Sequence, residues 1–89
     1  MADYLVEIKR SASQEIEDLP SKIGQRIFNA IEKLGSEPRP RQSKKLAGGQ
    51  SSYRLRVGPY RVLYQIDDRH KLISVFAVGH RSEVYRRRG

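Results

Sequence analysis

The 89-residue chain contains no cysteine and no tryptophan, and only two histidines, His70 and His80. Absence of cysteine excludes a disulfide framework, and no His/Cys/Asp/Glu cluster stands at ligand spacing, so neither a metal nor another cofactor is expected. No run of 18 apolar residues occurs, and the N-terminus lacks an apolar stretch of signal-peptide length. The sequence therefore predicts no membrane span and no export signal, and the cytoplasm is the expected compartment. Residues 1–89 are expected to form one domain, burying about 60 to 65% of its unfolded surface around a single core.

Acidic residues are scarce in the second part of the chain. Formal net charge is +8; residues 1–35 hold five Lys/Arg against six Asp/Glu, whereas residues 36–89 hold thirteen against four. A clustered, arginine-rich excess of this kind favours a polyanionic partner, either nucleic acid or an acidic protein segment.

The stretch from Tyr53 to Ile66 alternates charge and hydrophobe on both sides of Gly58-Pro59. Two period-2 runs joined by two turn residues predict a β-hairpin, with Gly58 at the positive φ of a II′ turn. Positions whose numbers sum to 117 then face each other. Val57 pairs with Tyr60, Leu55 with Val62 and Tyr53 with Tyr64 on the core face. On the other face Arg56 lies across from Arg61, with Arg54 two residues along. Like charges directly opposite destabilise a sheet by up to about 1 kcal/mol, so an anion is expected there.

Before the hairpin, Tyr4, Val6 and Ile8 share one face of a first strand. Ser11 with Gln14 predicts a capping box for a helix over 12–19, with Ile16 and Leu19 inward. After Pro20, the spacing of Ile23, Ile27, Phe28, Ala30, Ile31 and Leu34 predicts a longer helix, closed by Gly35 as C-terminal cap. Residues 36–52 are expected to be a long basic loop, whose Arg39, Arg41, Lys44 and Lys45 either contact phosphates or form a solvated connector. A last strand over 72–79, with Val78 expected opposite Tyr60, places Leu72, Phe76 and Val78 on the core face and Ile73, Val75 and Ala77 on the arginine side. The basic tail, Arg81 to Gly89, then emerges beside Arg61. The order β-α-α-β-β-β predicts an α+β fold, an antiparallel sheet with a helical hairpin on one face.

Acid–base candidates are few. His70 and His80 stand at opposite ends of the last strand, about 30 Å apart, and cannot act on one phosphate together. Asp67 and Asp68 share the distal turn with His70, and Glu83 is the acid near the tail. The candidate site is therefore Arg54, Arg56, Arg61, Arg81, His80 and Tyr85. Arginine forks bind phosphate bidentately and stabilise charge developing in a transition state, and a tyrosine beside them can stack on a base.

Three segments, Tyr53-Arg-Leu-Arg-Val, Gly58-Pro-Tyr-Arg-Val-Leu-Tyr-Gln-Ile and Val78-Gly-His-Arg-Ser-Glu-Val-Tyr, together resemble the signature strands of RelE toxins of the RelE/ParE superfamily. The resemblance extends over essentially the whole chain. It implies a metal-independent endoribonuclease that enters the ribosomal A site and cuts mRNA by attack of a 2′-hydroxyl on the adjacent phosphate. Arg54, Arg56 and Arg61 would orient that phosphate, Arg81 would match the family's terminal arginine, and Tyr85 would stack on a base. Lys44, Lys45, Arg39, Arg41 and Arg86 would contact message or ribosomal RNA. A RelB-like antitoxin, with an acidic or apolar segment, would be the protein partner. The other possibilities are a ParE-like poison of DNA gyrase and a toxin-fold binding module without activity. Well-known members carry lysine where this chain has Arg54 and Arg56, and an arginine effectively cannot give up its proton. The expectation is thus charge stabilisation on strained RNA, with His80 as the secondary candidate for a base.

Overall fold

The computed structural model describes residues 3–47 and 51–85. Its elements are β1 (Leu5–Ile8), α1 (Arg10–Glu17), α2 (Ser21–Lys33), β2 (Ser43–Lys45), β3 (Ser52–Val57), β4 (Tyr60–Asp67) and β5 (Leu72–His80). The strands form one sheet in the order β1-β5-β4-β3-β2, antiparallel except for β1, which lies parallel to β5. Both helices pack on one face, where Ala12, Ile27, Ile31 and Leu34 meet Leu55, Val62, Tyr64, Ile73 and Val75. The expected α+β architecture is the one observed.

The hairpin register matches the alternation: Tyr53 pairs with Tyr64, Leu55 with Val62, Arg56 with Arg61 and Val57 with Tyr60. Gly58 takes φ of 61°, a conformation in which a Cβ would crowd the following carbonyl. Tyr53 and Tyr64 stack with ring centroids 5.8 Å apart, and the Tyr64 hydroxyl donates to the Pro38 carbonyl at 2.7 Å. That bond satisfies a buried polar group and ties the segment after α2 to the sheet.

Several local expectations are corrected. Helix α1 begins at Arg10, and Lys9 at its N-terminus provides no side-chain cap. Ser11 instead donates to the Phe76 carbonyl at 3.4 Å, because α1 lies directly over β5. Gly35 does not adopt a positive φ, and Leu34 ends α2 in ordinary helical geometry. What Gly35 allows is close approach: a Cβ there would sit 3.1 Å from the Tyr4 carbonyl, and the Tyr4 N–H donates to the Gly35 carbonyl at 2.8 Å. Phe28 is exposed rather than inward. The basic stretch after α2 contains strand β2, with Lys44 paired to Arg54 and Lys45 to Tyr53. A polar edge strand lacks the hydrophobic alternation that would reveal it, and lysines on an edge discourage further pairing.

The largest correction concerns β5. Val78 pairs with Val62 and His80 with Tyr60, and a bulge interrupts the ladder between Leu63 and Tyr64, whose partners are Ala77 and Val75. Phe76 is left as the extra residue. An added residue reverses the facing of everything beyond it. Ile73 and Val75 consequently join the helix-side core, while Phe76 joins Leu63 and Ala77 on the opposite face.

Gly58→Ala is expected to lower stability by about 1 kcal/mol, because alanine must adopt a strained positive φ. The check is urea denaturation: a lower midpoint with an unchanged m-value, whereas an unchanged midpoint would contradict the strain argument.

Candidate active site

Residues on the sheet face away from the helices fall into two halves. Toward the hairpin edge, Lys44, Arg54, Arg56 and Arg61 project from adjacent strands, with Lys44 beside Arg54 and Arg56 beside Arg61 in the ladder. Toward β5, Leu63 and Ala77 are buried beneath Val84, with Phe76 and Leu46 at the margin. The cationic half is open, and the apolar half is roofed by the tail.

That roof positions the site. The N–H groups of Glu83 and Val84 both donate to the His80 carbonyl at 2.9 Å, making one helical turn after β5. The Arg81 N–H donates to the Pro59 carbonyl at 2.9 Å, which fastens this turn to the hairpin tip. Val84 is 2% exposed, a burial worth roughly 1.5 kcal/mol or more. A single hydrophobe thus anchors the charged segment and brings Arg81 and Tyr85 to the arginines. Tyr85 keeps 42% of its surface exposed, leaving its ring available for stacking.

Electrostatics confirm the convergence. The Arg61 guanidinium is pulled below its ordinary pKa first by desolvation, then by the positive charge of Arg54, with Arg81 and Arg56 adding to the effect and Tyr85 opposing it. It remains a cation, since a guanidinium holds its proton far above neutral pH. Its Nη1 donates to the carbonyls of Gly58 and Tyr60 at 3.0 and 2.9 Å, so backbone dipoles of the turn hold it in place. Four arginines and a tyrosine around one open patch can neutralise a phosphate and the extra charge of its transition state.

The remaining expected site residues lie elsewhere. His80 pairs with Tyr60, so it belongs to the helix-side face, where its ring meets Tyr60 edge-on with centroids 5.7 Å apart. Its Nδ1 accepts the Ser82 N–H at 3.1 Å. Arg39 is far from the patch. Its Nε donates to the Tyr53 hydroxyl at 3.0 Å, its guanidinium lies over the Tyr53 ring, and Nη2 meets Asp68 Oδ2 at 2.8 Å. Lys45 shares the Tyr53 row of the sheet, and Arg41 is exposed in the turn before β2. Arg86 lies outside the described residues. Val84, the anchor, was not among the expected site residues; an isolated hydrophobe inside a charged tail is the signal that marks it.

A groove of about 880 Å³ runs beside the patch, between α2 and the β3 edge. Its floor is Ala30, Leu34, Leu55 and Val57, and Arg26, Lys33 and Arg56 stand on its rim. Arg26 reaches the hairpin tip, with Nη1 3.6 Å from the position a Gly58 Cβ would occupy. On α2, Arg26 is indistinguishable in sequence from any solvent-facing helical cation.

Fold and site together define a class: a small sheet-and-helical-hairpin domain with a cationic, aromatic-edged face. Residues 6–85 match the family described as ParE toxin of type II toxin-antitoxin system, parDE. The sequence is 35% identical to Toxin RelG of Mycobacterium tuberculosis over 89 residues, 94% of this chain and 98% of that protein. Among solved structures, the fold is similar to the toxin-antitoxin complex RelBE2 from Mycobacterium tuberculosis, with a TM-score of 0.78 and 31% identity over 89% of this chain and 99% of that one. It is also similar to the archaeal RelE-RelB complex from Pyrococcus horikoshii OT3, with a TM-score of 0.80 and 29% identity over 94% and 100% of the two chains. The chain belongs to the ParE toxin family of type II toxin-antitoxin systems and is a RelE-type toxin of the RelE/ParE superfamily.

The Arg39 cluster generates a pH prediction. Hydrogen bonds from Arg39 and then from the Tyr4 hydroxyl hold the Asp68 carboxyl below the usual carboxylate range, and the His70 N–H does the same for Asp67. A depressed folded-state value means stability that is present above the unfolded value, about pH 4, and lost as pH falls through the folded one. Thermal melting followed downward from neutral pH should show this acid limb, and Asp68→Asn should flatten it. An unaltered limb in that variant would assign the acid sensitivity elsewhere.

Proposed function

We propose that this toxin is a ribosome-dependent, metal-independent mRNA endonuclease that inhibits translation. The observation that carries the reading is the cross-strand Arg56–Arg61 pair, joined by Arg54 and met by Arg81 and Tyr85 on the docked tail. Placing like charges opposite one another opposes folding, and a phosphate between them removes that opposition.

In the proposed reaction the 2′-oxygen of the message forms a bond to the adjacent phosphorus while the bond to the 5′-oxygen breaks. The products are a 2′,3′-cyclic phosphate and a 5′-hydroxyl, so the proton lost by the 2′-hydroxyl is balanced by one gained at the leaving oxygen. Arg54 and Arg56 hold the phosphate, and Arg61, fixed by the turn carbonyls, stabilises the charge that builds on its oxygens. Tyr85 stacks on a base and splays the strand. Arg54, Arg56, Arg61 and Arg81 effectively cannot give up a proton and His80 lies on the helix-side face, so the division of labour relies on charge stabilisation and on RNA geometry imposed by the ribosome. Lys44 beside Arg54 extends the phosphate track, and the exposed Arg41 and Lys45 would meet ribosomal RNA outside the patch.

The protein partner in this reading is an antitoxin. The two solved structures described above are toxin-antitoxin complexes, and the groove beside the patch combines an apolar floor with a cationic rim. An amphipathic segment with acidic residues fits it, and its seating over Arg56 would cover part of the phosphate site. A second reading follows from the family description, which names ParE: a poison of DNA gyrase that leaves RNA intact.

Purified toxin added to ribosomes stalled on a defined message should create new 3′ ends in the A site. Arg61→Ala should lower the rate by about 10²-fold or more, as loss of a transition-state donor does, and Tyr85→Ala by about tenfold, as loss of one base stack does. Free RNA should be cut far more slowly than ribosome-bound message. Intact message together with trapped gyrase cleavage complexes would establish the second reading, and rapid cutting of free RNA would contradict reliance on ribosomal orientation.

A further inference from the structure

Strand β1 escorts β5 only as far as the Ile8–Val75 pair. Beyond that point the sheet edge of β5 is followed by α1. The Lys9 N–H donates to the Val75 carbonyl at 2.8 Å, Ser11 Oγ donates to the Phe76 carbonyl at 3.4 Å, and Glu15 Oε1 accepts the Val78 N–H at 2.9 Å. Ser11 and Glu15 stand four residues apart on one face of α1, the spacing that aligns two side chains along a neighbouring strand. They bracket the bulge, where the ladder leaves backbone groups without regular partners. Val78 is 2% exposed, so its N–H has no recourse to bulk water.

We propose that Glu15 is a positioning residue of the site. By accepting the Val78 N–H it fixes the bulge in the one arrangement that sends Gly79 opposite Arg61, and so sets where Arg81 and Tyr85 stand. From Val78 only three residues lead to Arg81, whose N–H is bonded to Pro59, and three more reach Val84 in its seat on Leu63 and Ala77. A slip of one residue at the bulge would exchange the faces of this whole segment and withdraw Val84 from its seat. Helix α1 thereby governs the geometry of the reacting face. The structural half of the assignment is independent, and its catalytic half rests on the nuclease reading given above.

The experiment compares wild type, Glu15→Ala and Glu15→Gln by two readouts. Amide exchange at Val78 and nuclear Overhauser contacts between Val84 and Leu63 report the bulge and the docked tail. Single-turnover cleavage of ribosome-bound message, normalised to folded protein, reports catalysis. In Glu15→Ala the Val78 amide should exchange faster and the Val84–Leu63 contacts weaken, while Ile27–Val62 contacts in the core persist. Its single-turnover rate constant should fall about 10- to 100-fold, the loss expected from misplacement by about an ångström, with the half-saturating concentration held within about twofold. Glu15→Gln keeps the acceptor oxygen and should restore both readouts. Retention of the tail contacts and rate in Glu15→Ala, or equal loss in Glu15→Gln, would overturn the assignment. Should Glu15→Ala fail to fold, Ser11→Ala, which releases the neighbouring carbonyl of the same bulge, is read in the same way. If wild type leaves the message intact the nuclease reading fails, and the Val78 and Val84 signals alone then decide whether Glu15 sets the tail.

Discussion

Val62, Leu63 and Tyr64 are consecutive in the central strand and all buried, which requires cover on both faces of the sheet at the same place. The helical hairpin covers one face. On the other, Val84 supplies the cover by docking on Leu63 and Ala77. The remainder of that face carries Lys44 and the arginines. The second face is thereby divided into a roofed apolar half and an open cationic half.

The open half is held against its own repulsion by backbone. Arg61 is pinned by carbonyls of the turn that the positive φ of Gly58 creates, and Arg56 extends from the adjacent strand with its N–H bonded to the Gln42 carbonyl. Neither anchor uses an acidic side chain. Had the patch been stabilised by salt bridges, an incoming phosphate would have to displace a carboxylate. Carbonyl dipoles hold the guanidinium in place and leave its charge uncompensated. Repulsion within the patch is the sort of local destabilisation that functional sites retain at the expense of stability.

Much of this was legible in the sequence, and the failures have common causes. Hairpin register could be read because strict alternation leaves one pairing that buries Tyr53, Leu55, Val57, Val62 and Tyr64 together. The convergence of the tail on Arg61 followed from topology alone. Facing within β5 could not be read, because Leu72 through Val78 is nearly all apolar and a bulge in such a run leaves no mark on the pattern. Strand β2 escaped for the opposite reason, having no hydrophobe to alternate. Arg39 looked like one more cation of a basic stretch; its partners Tyr53 and Asp68, and Tyr4 bonded to that same carboxylate, are remote in sequence, and only the fold unites them.

The bulge that defeats the pattern also connects the core to the site. In an unbroken ladder the facing of Ile73 and Val75 and the facing of Ala77 would be locked together, so both could not be buried beneath different covers. One extra residue uncouples them, letting the first half of β5 serve the helical core and the second half serve the tail's seat. The backbone groups it displaces are taken up by side chains of α1, an element whose other face is spent on the core. Packing of the helices and placement of Arg81 are thus parts of one arrangement. In the nuclease reading, the reacting face would depend on this placement more than on any one group.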